Sequence, residues 1–124
     1  MRYVRLYADG KGETHFEQVP EKFDETDYRP PAPPLHVSHA FQSGAPQFVR
    51  APAGWIGENI CPPQHQFFFC LQGHLEIRAS DGEKRTLGPG DVMLMEDSSG
   101  KGHRSRVTAA KDLIAAVVSV SRFK

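Results

Sequence analysis

Along most of this chain apolar and polar positions alternate with a period of two, in short runs separated by glycine and proline. That is the pattern of β-strands with one face turned toward a core. In the run His103–Val107, the residues His103, Ser105 and Val107 fall on one face, while Arg104 and Arg106 fall on the other. Two arginines do not enter a small barrel unpaired, because burying such charges is costly. The His103 face therefore turns inward. Gln66, Phe68 and Cys70 share a face in the same way, and Phe67, Phe69 and Leu71 occupy the opposite one. Neither side of that run is polar enough for open water, so its outer side needs a cover, from the N-terminal segment or from a second subunit.

The alternation predicts strands over 3–7, 15–19, 36–42, 47–51, 55–61, 66–72, 75–79, 84–87, 91–95, 103–107 and 113–121. Asp81-Gly82 between the runs 75–79 and 84–87 is a strong hairpin signal. Gly88-Pro89-Gly90-Asp91 suits a type II turn, with Pro setting φ and the following Gly accepting positive φ. Pro30, Pro31, Pro33 and Pro34 enforce an extended connection. Residues 1–34 read as an N-terminal arm and proline-rich link, and residues 35–124 as one all-β barrel. A chain of 124 residues suffices for one domain and its core.

Charge narrows the function classes. Lysine plus arginine number 15, matched by 15 aspartates and glutamates. That balance argues against nucleic-acid binding, which rests on a basic surface, and against anionic membranes. No apolar run approaches the roughly 18 residues of a membrane span, and Met1–Asp9 lacks the apolar region of a signal peptide. Cys61 and Cys70 are too few for a disulfide framework and read as reduced thiols of a cytoplasmic protein.

Two segments carry a resemblance. The run Gln66–Ile77, turning at Gly73, resembles the end of the first motif of the cupin family. The run Thr86–Met95, followed by His103, resembles the second. The resemblance covers residues 55–107 and implies a cupin jelly-roll barrel, the double-stranded β-helix, with a pocket inside. Residues 96–103 are similar to a subgroup of short bacterial cupins whose members mostly lack an assigned activity. In metal-binding cupins the first motif carries a His-x-His pair and an acidic residue, and the second carries one more histidine. Counting back from Gly73 puts Gln66 at the acidic place and Ile60 and Pro62 at the paired histidines, or Asn59 and Cys61 after a one-residue slip. Only His103 matches. One histidine and a neutral amide hold a divalent transition metal poorly, so a tightly bound metal is disfavoured and no other cofactor is assigned. If a metal is held, His103 and Gln66 hold it.

The resulting expectation is a barrel that binds a small organic molecule and performs acid–base chemistry such as isomerisation, dehydration or lyase cleavage. His103 is the candidate proton-transfer residue. Gln66, Phe68, Cys70 and Ser105 are the candidate substrate-binding residues. Glu58 or Glu96 is the candidate carboxylate partner of His103; in a purely structural role the histidine bonds Glu96 or Asp97 instead. A zinc site from Cys61, His65 and His103 is chemically reasonable but disfavoured by strand alternation. His36 and His39 fall on opposite faces and form no pair. Trp55 and Tyr28 are candidates for the barrel mouth, and the basic run Lys101–Arg106 for attracting an anion. Non-catalytic ligand binding and a metal-dependent oxygenase are the alternatives, and a second copy of the chain is the expected partner.

Overall fold

The structure, a computed structural model, describes residues 1–121. Positions 122–124, at the end of the expected barrel segment, lie outside the described residues. The strands are β1 (Arg2–Ala8), β2 (Thr14–Pro20), β3 (Asp24–Thr26), β4 (Leu35–Val37), β5 (Ser43–Ala51), β6 (Ile56–Ile60), β7 (Gln66–Gln72), β8 (His74–Ala79), β9 (Lys84–Leu87), β10 (Val92–Glu96), β11 (His103–Thr108) and β12 (Leu113–Val120). They build a six-stranded sheet in the order β2-β1-β10-β7-β12-β5 and a four-stranded sheet in the order β6-β11-β8-β9, with β3 and β4 as a small separate pair. Among the described residues no helix is long and apolar enough to cross a membrane.

The two large sheets face each other across one core, and alternation decides what enters it. Leu6, Phe68, Met93 and Ala115 from the larger sheet join Leu75, Ile77, Leu87 and Val107 from the smaller. At the β7–β8 turn Gly73 has φ +81°, and a Cβ there would lie 2.7 Å from the Asp112 carbonyl oxygen. Only glycine fits that position without moving the chain.

The N-terminal segment is woven into the larger sheet. β1 runs parallel to β10, with Leu6 opposite Met95, and carries β2 antiparallel on its other side. The cover that Phe67 needs on its outer face comes from this same chain. Tyr3 meets its ring edge-on at 5.5 Å, and Phe41 does so at 4.9 Å. Phe41 comes from the expected strand 36–42, which shortens to Leu35–Val37 because its partner β3 has only three residues. β5 starts earlier than expected, at Ser43, and accommodates Pro46 because an edge strand has a neighbour on one side only.

A surface histidine ties the turns together. His15 Nε2 lies 2.8 Å from Asp9 and Nδ1 lies 2.9 Å from Asp81, joining the β1–β2 and β8–β9 turns. The bond to Asp9, followed by the one to Asp81, holds the imidazole's pKa above its ordinary 6.5. A pKa raised by folding means stability fully present below 6.5 and lost as pH climbs through the folded value. The melting-temperature gap between wild type and His15→Gln is expected to be widest in mild acid and to close at higher pH. A gap that does not change with pH would show that the bridge carries no charge.

Candidate functional site

Between the sheets lies a cavity of about 490 Å³. β7 lends it Gln66 and Phe68, β11 lends His103 and Ser105, and Met95 and Val117 also line it. Its mouth lies toward β5 and β6, the edge strands of the two sheets, where the lining residues Val49, Trp55 and Cys61 are exposed. Most of the wall is apolar. The polar groups that reach it are few and converge.

His103 is the most constrained of them. Its side chain is 2% exposed, and Nδ1 lies 2.6 Å from Oδ2 of Asp97, itself wholly buried. A carboxylate oxygen only accepts, so this contact fits the tautomer in which Nδ1–H donates to Oδ2. Nε2 has no partner among the described residues and is not sealed from solvent, so it is the nitrogen left for chemistry. Asp97 is less well served, because its Oδ1 is buried without any donor. The carboxylate therefore depends on one bond to one imidazole.

The backbone around the pair is held from several sides. From His103 to Ser105 β11 advances two residues, while β6 runs three, from Ile60 to Gly57. The extra residue is a β-bulge, and Asn59 within it has φ +52°. Such bulges re-aim side chains beside functional sites. Gly102, at φ +72°, passes so close to β6 that a Cβ would sit 2.5 Å from the Ile60 carbonyl oxygen. The fully buried Thr14 donates through Oγ1 to the Gly102 carbonyl at 2.9 Å and accepts from Ser80 N–H at 2.6 Å. Lys101 N–H donates to Gly12 carbonyl, and its ammonium pairs with Glu13 at 2.9 Å. The β1–β2 turn thus clamps the loop that separates Asp97 from His103.

The structure brings four of the sequence candidates into the lining of one cavity, Gln66 and Phe68 from the larger sheet and His103 and Ser105 from the smaller. Cys70 is corrected. It faces the same side but lies deeper in the core, outside the lining, with its thiol 3.6 Å from the Gly73 carbonyl oxygen. Burial pushes that thiol's pKa up, so it stays protonated and inert. The carboxylate partner is corrected too. Glu96 points to the outer face and binds Arg5 at 2.6 Å, and Glu58 binds Arg104 at 3.1 Å, so Asp97 takes the imidazole. Trp55 lines the cavity, whereas Tyr28 is exposed elsewhere. Cys61 is exposed at the mouth. Lys101, Arg104 and Arg106 all carry acidic partners, Glu13, Glu58 and Glu76, so the basic run offers no free anion-binding charge.

Ser105 carries a signal the sequence shows only in part. It is 4% exposed, and its hydroxyl makes no hydrogen bond among the described residues. The Gln66 amide has a single weak contact, to Met95 Sδ at 3.8 Å. Buried polar groups ordinarily find partners. Here the Ser105 hydroxyl and the half-buried Gln66 amide line the same cavity as His103.

The donor set does not suit a metal. No group of three His, Cys, Asp or Glu side chains that could hold an ion occurs among the described residues. His103 spends one nitrogen on Asp97, and the places of the paired histidines hold Ile60 and Pro62, or Asn59 and Cys61. Cys61, His65 and His103 do not assemble into a zinc site.

Comparison with known proteins points to one family. The family model described as "Cupin domain" matches residues 47–119. Among solved structures, the Cupin 2 conserved barrel domain protein from Salinispora arenicola CNS-205 aligns with 16% identity and a TM-score of 0.49, covering 59% of each chain. The DMSP lyase DddQ from Ruegeria pomeroyi DSS-3 aligns with 22% identity and a TM-score of 0.50, over 83% of this chain and 49% of that one. The Cnp3 cupin domain of Schizosaccharomyces pombe aligns with 14% identity and a TM-score of 0.50, over 87% and 73%. The chain thus spans 59% of the Salinispora protein and about half of the lyase. At these identities the likeness is one of fold. No curated protein matches.

Proposed function

The chain belongs to the cupin domain family, and within that fold we propose that it binds a small organic molecule between its sheets and uses His103 to move a proton. The observation that carries this reading is the convergence of unpartnered polar groups, His103 Nε2 and Ser105 Oγ, on an otherwise apolar cavity. Nε2 takes a proton from the bound molecule. Asp97 stabilises the imidazolium that results and fixes the ring's tautomer and orientation. Ser105 and the Gln66 amide hold an oxygen of the ligand as charge develops on it. Proton abstraction next to such an oxygen is the common step of isomerisation, dehydration and elimination.

A screen of small molecules by ¹H–¹⁵N NMR tests the location. Hits are expected to shift the resonances of Gln66, His103 and Ser105, and Ser105→Trp, which fills the cavity, is expected to abolish binding while the spectrum stays folded. Hits that move Tyr3 and Phe41 instead, on the outer face of the larger sheet, would refute interior binding. Binding without turnover of any hit would favour a carrier or sensor, stabilised by ligand as RT ln(1 + [L]/Kd).

A further inference from the structure

Resting on that interior reading, we infer that the ligand is electrically neutral: a mainly apolar molecule bearing one carbonyl, amide or hydroxyl group. The charge around the cavity leads to this class. Apart from His103, Arg50 is the one charged side chain in the lining among the described residues. It lies at the rim, and Asp112 takes it through Nε at 3.0 Å and Nη2 at 2.9 Å. Asp112 also accepts the Ala53 N–H at 2.9 Å, and that bond, ahead of the arginine, holds its carboxyl below the ordinary carboxylate range. The rim cation thus already has an acidic partner.

The interior offers an anion nothing better. His103 already has the Asp97 carboxyl group 2.6 Å from its Nδ1. A carboxylate or phosphate would give up its water for an apolar wall and an imidazole that already has an acidic partner. A cation finds no exposed acid, since Asp97 lies behind the imidazole and outside the lining. A neutral polar group fares well. Ser105 Oγ and the Gln66 amide can each donate or accept, and Nε2 supplies the third contact.

Three probes sharing one ring but differing in charge separate the possibilities: cyclohexanecarboxamide, cyclohexanecarboxylate and cyclohexylmethylammonium. Each is titrated into the wild-type protein at neutral pH and followed by ¹H–¹⁵N NMR. The amide is expected to bind tighter than either ion by roughly 10-fold or more, with shifts at Gln66, His103 and Ser105, and Ser105→Ala is expected to weaken it. If an ion moves those resonances with equal or higher affinity, the neutral-ligand inference is wrong while interior binding stands. If no probe moves them, or the response lies elsewhere, the interior reading falls together with it.

Discussion

Truncating His103 to alanine is expected to destabilise the protein by about 3–5 kcal/mol, the cost of leaving one member of a buried pair without its partner. Asp97 is wholly buried, its Oδ1 has no donor, and its Oδ2 has only the imidazole. Remove the ring, and a sealed carboxylate has no bond at all. The urea midpoint should fall with little change in slope, because the surface exposed on unfolding hardly alters. Adding Asp97→Ala to the same chain removes the stranded charge, so the double variant should be less unstable than the sum of the single ones. The coupling is expected at roughly 0.5–3 kcal/mol. A loss confined to that of an ordinary surface substitution, with additive effects, would mean that water reaches Asp97.

The second expectation concerns chemistry with the fold kept. Asparagine at position 103 retains a donor close to the place of Nδ1 and deletes Nε2. His103→Asn should therefore keep Asp97 bonded and the NMR spectrum folded, and weaken ligand binding by roughly 10-fold at most, the loss of the one Nε2 contact. Turnover should drop by roughly 10²–10⁴-fold, the usual worth of a positioned acid–base group. Ligand affinity and rate are thereby separated. A variant that turns over normally would remove His103 from the proton-transfer role and leave it as a structural partner of Asp97.

How much of this was legible in the sequence depends on what alternation can encode. The inward face of β11 followed from Arg104 and Arg106 alone, because charge and period two leave one arrangement, and both arginines do pair with acids outside. The β8–β9 hairpin followed from Asp81-Gly82, and the β7–β8 turn from Gly73, whose φ no other residue adopts cheaply. Alternation gives side and not depth, however. Cys70 lies on the expected side of β7 but in the packed core outside the cavity lining, because depth is set by how the sheets close. Asp97 was named only for a structural role, since it sits in a loop with no periodicity and meets His103 across a turn clamped by Thr14 and Gly12 from the far end of the chain. Long-range pairing hid the rest. Nothing local to β1 announces that it will lie parallel to β10 and put Leu6 into the core. The first half of β5 reads as turn, with Gly44 and Pro46, and is extended only because β12 pairs with it.

The nitrogen spectrum of the His103 ring is the most direct probe of the site. Long-range ¹H–¹⁵N correlation reports which ring nitrogen carries the proton and which responds to ligand. The account predicts a proton on Nδ1, held by Asp97 and unmoved by ligand, and an Nε2 resonance that shifts on binding. A proton resting on Nε2, or a ring indifferent to a ligand that binds elsewhere, would contradict it.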